Sequence, residues 1–196
     1  MVKQLTLLSF LLILQLAQAQ NVRFKNGQLD NGLVYPIIEL MGNADAQEEL
    51  NANIGTIISE YQEQDYCIGQ FGYVQKANFL QVNFYFNCID LDDSKTENHF
   101  FDLNTGETCA ITSLFLEKQK KHYESFFADH ITKHIIEEGN DAPSDDFISS
   151  ISIENCQVEL VEEGMKISMD SYDNWPSEKL LITWEELRPF LKSTFF

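Results

Sequence analysis

Residues 100–111, Phe-Phe-Asp-Leu-Asn-Thr-Gly-Glu-Thr-Cys-Ala-Ile, constrain this chain more than any other stretch. The aromatic and β-branched residues at its two ends suit a half-buried pleated surface. Between them Asn104-Thr105-Gly106 is turn chemistry, and Gly106 is free to take the positive φ that such a turn needs. The segment therefore predicts a strand, a tight turn and a second strand, with 112–115 running on toward a helix. Nothing in it reads as a nucleophile, a base or a phosphate cradle. It announces architecture before chemistry.

The first nineteen residues read as a signal peptide. Lys3 forms a short positive start, 5–16 is an apolar run broken only by Thr6, Ser9 and Gln15, and Ala17-Gln18-Ala19 is an A-x-A cleavage site. A membrane span needs about 20 apolar residues, and this run is shorter. Cleavage after Ala19 predicts a secreted or periplasmic protein with no later segment to enter a bilayer. What remains is long enough for one domain with its own core.

The formal net charge is −18 at pH 7, from 13 Lys+Arg against 31 Asp+Glu. Cleavage removes Lys3 and no acid, so the mature surface is more acidic still. Such a surface repels nucleic acid and anionic membranes and attracts basic proteins or cations. All four cysteines, Cys67, Cys88, Cys109 and Cys156, lie in the mature part. An even count in an exported chain predicts two disulfides, with three possible pairings. If 66–75 and 79–89 form a hairpin about Lys76-Ala77-Asn78, Cys67 comes within one position of facing Cys88. Cys109 is then left with Cys156. The spacings match no zinc pattern.

Taken in order, 20–32 is a polar, Gly/Asn-rich lead-in, and 33–196 is a single domain. Residues 33–40 read as a strand that Pro36 places at an edge. A helix capped by Asn43 or Asp45 runs to about Tyr61, with Leu50, Ile54, Ile57, Ile58 and Tyr61 on one face. In 79–89 apolar Leu80, Val82, Phe84, Phe86 and Cys88 alternate with Gln81, Asn83, Tyr85 and Asn87, which predicts a strand with one polar face. Residues 91–98 form a charged loop; Asp90, Asp92 and Ser94 give only the start of a calcium loop, without its Gly and closing Glu.

The second helix spans 117–138 and buries Tyr123, Phe127, Ile131 and Ile135. An acidic loop at 137–146 follows, then a hairpin of 151–161 with 165–170. A last strand at 179–183 leads into the capping box Thr183-Trp184-Glu185-Glu186. The predicted class is α+β: a bent antiparallel sheet of about six to eight strands, two main helices packed on it, and a short C-terminal helix.

Candidate chemistry is sparse. His130 and His134 stand at i and i+4 on the second helix, the spacing of two zinc ligands, with Glu138 one turn further on. Ile131 occupies the place where a hydrolytic zinc helix carries Glu. Two histidines flanking an apolar stripe also serve simply to cover its edge. No G-x-S-x-G occurs, and no cysteine stands in a papain-like context. Tyr172, Trp175 and Trp184 are the aromatics nearest to interface anchors, although aromatics fill cores by default.

With these residues in view the chain resembles the extracellular domain of the RsiV-type anti-sigma factors. Tyr35-Pro36-Ile37-Ile38 is similar to the family's entry strand, and Leu50-Asn51-Ala52-Asn53-Ile54 to its first helix. The central "FDLxTG…LF" signature is matched by Phe101-Asp102-Leu103-Asn104-Thr105-Gly106 and Leu114-Phe115. Ser171-Tyr172 and Ile182-Thr183-Trp184-Glu185-Glu186-Leu187 resemble its closing segment. In membrane-bound members the domain senses lysozyme, and a related domain accompanies peptidoglycan deacetylases. The resemblance implies a non-catalytic binding module of the cell envelope, with no cofactor. Its partner would be a basic extracellular protein such as a lysozyme, or a cell-wall glycan. The chain lacks the family's transmembrane and sigma-binding regions, so no anti-sigma function is implied. The competing expectation is a cell-wall hydrolase or metal-binding accessory domain using His130 and His134.

Overall fold

The computed structural model describes residues 22–89, 95–169, 172 and 175–195. The expected signal peptide and the calcium-like start at Asp90 lie outside them. Within them the class is α+β, with eight strands, all paired antiparallel. The strands fall into three small sheets rather than one bent sheet: β1 (Val22–Gln28) with β2 (Val34–Leu40), β3 (Cys67–Lys76) with β4 (Phe79–Cys88) and β5 (Lys95–Asp102), and β6 (Gln157–Leu160) with β7 (Gly164–Ser168) and β8 (Leu180–Thr183). Two long helices accompany them, α1 (Ala44–Ser59) and α2 (Lys120–Glu137), with the short α3 (Asp145–Ser150) and α4 (Trp184–Leu187).

The apolar periodicities build two cores. Leu50, Ile54, Ile57 and Ile58 of α1 are buried against Leu80, Val82, Phe84 and Phe86, one face of β4. Tyr123, Phe127, Ile131 and Ile135 of α2 are buried with Val158, Leu160, Met165, Ile167 and Ile182 of the third sheet. Asn43 caps α1 by accepting the Ala46 N–H at 3.2 Å. The capping box of α4 is complete, Thr183 and Glu186 each accepting from the other's backbone.

Several expectations are corrected by tertiary contacts. The polar lead-in contains β1, because strand pairing satisfies backbone groups whatever the side chains, and Phe24 stacks on Tyr73 at 3.6 Å. The charged loop ends early: Lys95 already pairs with Phe86 as the start of β5. The acidic loop gives way at Ser144, whose hydroxyl caps α3 on the Phe147 N–H. The strand expected over 151–161 begins with a 3-10 turn, Ile153–Asn155, and pairs only from Gln157.

The predicted polar face of β4 is not solvated at Gln81 and Asn83. Both are buried, Gln81 directly against β6 of the third sheet. Gln81 donates from Nε2 to the Val158 carbonyl at 2.9 Å and accepts the Leu160 N–H at 2.6 Å. Its amide thus replaces a strand partner for β6 and ties the two cores together.

The hairpin β3–β4 turns at Ala77-Asn78, with Lys76 opposite Phe79 and Cys67 opposite Cys88. Cys67 and Cys88 are joined by a disulfide. Cys109 and Cys156, expected to form a second bridge, are instead two free, half-buried thiols. Each is engaged near its own turn: Cys109 with the Ser113 hydroxyl, and Cys156 Sγ on the Ser152 carbonyl at 3.3 Å.

Candidate functional site

The central turn forms, but the second strand expected after it does not: Thr108 makes only an isolated bridge to Phe101 before the chain enters a 3-10 turn at Ile111–Leu114, because the Glu107 and Phe100 carbonyls and the adjoining N–H groups are satisfied across the turn itself. The Asp102 carbonyl accepts the Gly106 N–H at 2.7 Å, and Asp102 Oδ1 accepts the Asn104 N–H at 2.8 Å. Gly106 has φ +79°, and a Cβ there would lie 2.2 Å from the Ala46 carbonyl oxygen. Glycine is required twice over, by the backbone and by the approach of α1. That helix reaches the turn with two amides, Asn43 Nδ2 on the Asn104 carbonyl at 2.9 Å and Asn53 Nδ2 on the Gly106 carbonyl at 3.1 Å. One turn away Asn51 satisfies both backbone groups of Ile38 on β2, at 2.8 and 2.7 Å. Asn43, Asn51 and Asn53 therefore act as a clasp between α1, the strand β2 and the central turn.

On the other side of this turn is a cleft of about 220 Å³. Three segments converge there. The β3–β4 turn contributes Lys76 and Phe79, and is tied to the central turn by the Leu103 N–H on the Asn78 carbonyl at 2.8 Å. The central turn and the 3-10 turn after it (Ile111–Leu114) contribute Asp102, Cys109 and Ser113. The C-terminal segment contributes Lys192 and Phe195, and is held by the Lys192 N–H on the Leu114 carbonyl at 2.9 Å. Burial pushes the Cys109 thiol up and the charge of Asp102 adds to this; Ser113 and Lys192 pull the other way without prevailing. Burial alone pushes Cys156 up to about 12. Both thiols stay protonated at neutral pH and are poor nucleophiles.

A second cluster surrounds Glu97 on β5. Tyr61 donates its hydroxyl to Glu97 Oε1 at 2.6 Å, Lys95 Nζ lies 2.5 Å from the same oxygen, and His99 Nε2 is 2.9 Å from Oε2. Burial opposes the Glu97 charge, but hydrogen bonds from Lys95, Tyr61 and His99 outweigh it and hold the carboxyl down to about 2. Burial and then Glu97 push Tyr61 up to about 12. Its hydrogen bond to Glu97 raises Lys95 above the ordinary range. A carboxylate pinned so low is no general acid or base near neutral pH. The cluster locks the end of α1 to β5.

His130 and His134 do not converge. His130 Nδ1 donates to the Phe126 carbonyl at 2.8 Å, while its Nε2 faces Glu186 at 3.8 Å. His134 Nε2 donates to the Glu178 carbonyl at 3.0 Å. Each ring is spent on a different neighbour, and Glu138 joins neither. Among the described residues no three His, Cys, Asp or Glu side chains are placed to hold a metal. Trp184 is core, its Nε1 donating to the Glu162 carbonyl at 2.9 Å. Trp175 and Tyr172 are half-buried against the second core.

Fold and clefts together define an α+β domain with a disulfide-stapled hairpin. No described helix is long and apolar enough to cross a membrane. No family model matches the chain, and no curated protein matches it. Among solved structures it is similar to a DUF3298 family protein from Pseudomonas aeruginosa, with TM-score 0.48 and 11% identity over 90% of this chain and 96% of that one. It is similar too to a DUF3298 family member from Bacteroides fragilis, with TM-score 0.48 and 10% identity over 90% and 95%.

Proposed function

We propose that the protein is a secreted or periplasmic, non-catalytic binding module of the cell envelope whose partner is a basic extracellular protein such as a lysozyme. The observation that carries this reading is the distribution of charge. No Lys or Arg occurs between Lys25 and Lys76. Across that interval α1 and the turn after it expose Asp45, Glu48, Glu49, Glu60, Glu63 and Asp65, with no cation of their own segment to offset them. An extended anionic face steers a cationic partner and contributes to its selection. The cluster that fixes Tyr61 to Glu97 and the clasp at Gly106 hold that helix rigidly, so its acids are presented without a large ordering cost.

Mixing residues 20–196 with hen lysozyme tests this, with binding followed by calorimetry and lysozyme activity assayed in parallel. The expected result is a complex that weakens severalfold as salt rises from about 50 to 200 mM, as exposed charge is screened. Charge reversal at Glu48 and Glu49 is expected to weaken it further, with unchanged melting temperature. Absence of any complex at low salt, or release of cell-wall fragments by the protein alone, would overturn the reading.

A further inference from the structure

We propose that the cleft between the central turn and the C-terminal segment is a binding site for a small organic carboxylate with an apolar body. This goes beyond the module's proposed protein partner and does not depend on it. Carboxylates outnumber cations by more than two to one in this chain, and Lys25, Lys95, Lys120, Lys133 and Lys179 each have one within 4.0 Å. Lys76, at the end of β3, and Lys192, in the C-terminal segment, line the same cleft, and among the described residues no carboxylate lies within 4.0 Å of either, so neither is in an ion pair there. Lys76 is steadied by the Trp184 ring, its Nζ 5.0 Å from the ring centroid.

Asp102 is the single acid in the wall, and one of its oxygens is already taken by the Asn104 N–H. The cleft therefore carries a net positive charge inside a strongly negative protein, which concentrates a small anion there. Phe79 and Phe195, in edge contact at 6.4 Å, give the apolar wall. The volume is below the ~300–1,000 Å³ of pockets for drug-sized ligands, so the occupant is small. A small carboxylate meets both features of the lining: its charge the two lysines, its hydrocarbon the two phenylalanines.

The test compares 3-phenylpropionate with its neutral amide, 3-phenylpropanamide, by calorimetry, with inorganic phosphate as a third arm. Cys109 supplies an independent reporter, since it lines the cleft while Cys156 does not. The acid is expected to bind at least about tenfold tighter than the amide and to slow alkylation of Cys109 but not of Cys156. Lys192→Gln, at an exposed position, is expected to weaken the acid severalfold with unchanged melting temperature; Lys76→Gln, which also loses its contact with the Trp184 ring, is expected to weaken the acid severalfold when binding is measured well below its melting temperature. The acid–amide comparison on the unaltered protein needs no variant to fold. Equal binding of acid and amide, no binding of either, preference for phosphate, or protection of Cys156 would each overturn the proposal. A failed lysozyme titration would leave it standing, and the reverse holds equally.

Discussion

Glu97 shows how a residue with no sequence signature becomes decisive. In the chain it is one acid of many, in a stretch that reads as loop. In the fold its two oxygens serve Tyr61, Lys95 and His99. Its carboxyl is held at about 2 against an ordinary 4.5. A depressed carboxylate contributes stability that is fully present above its unfolded value and is lost as pH falls through the folded one. The contribution of Glu97 is therefore present above about pH 4.5 and disappears toward pH 2. Glu97→Gln is expected to lower the melting temperature at pH 7, costing about 1–3 kcal/mol. The gap between variant and parent should close as both are melted at successively lower pH within that window. A gap independent of pH would show that the charge is not what Glu97 contributes.

At the scale of elements, the hairpin β3–β4 is legible from the alternation in 79–89 and from turn residues expected at Lys76-Ala77-Asn78, of which Lys76 proves to be the last paired residue of β3; its register puts Cys67 opposite Cys88. Their disulfide closes a loop of sequence separation 21. Removing it by the Cys67→Ser, Cys88→Ser double variant is expected to cost about 2–4 kcal/mol in urea unfolding. Thiol titration of the denatured, unreduced protein should find Cys109 and Cys156 free and Cys67 and Cys88 blocked. Four blocked cysteines would contradict the structure. The second bridge does not form: pairing by elimination assumes that every cysteine in an exported chain is oxidised, and Cys109 and Cys156 are not. Each remaining thiol instead has a polar neighbour near its own 3-10 turn and a half-buried place beside the second core. The histidine pair misled in a related way. Helical spacing shows that two side chains can share a face, but not that their rings are left unoccupied, and carbonyls of Phe126 and Glu178 occupy them.

At the scale of the whole molecule the two cores meet at β4. Its apolar face closes the first core, and Gln81 on the other face hydrogen-bonds the backbone of β6. Gln81→Leu keeps volume but strips both groups of their partner, and should cost about 2–3 kcal/mol. Because the lost bonds join two cores, tryptophan fluorescence, which reports Trp175 and Trp184, both at the second core, is expected to melt ahead of far-ultraviolet dichroism in the variant. Coincident transitions with unchanged midpoint would refute that role. The positions of α1 and α2, their buried stripes, the Thr183 capping box and the turn at Gly106 followed from the chain alone, because periodicity, caps and positive φ are local properties; between Asn43 and Asp45 as the cap of α1 the structure decides for Asn43. Division into three sheets, burial of Gln81 and Asn83, the Glu97 cluster and the arrival of Lys76 and Lys192 at one cleft were settled only in three dimensions. Each depends on which distant backbone or charge arrives beside a side chain, and contacts of that kind leave no period in the sequence that could have foretold them.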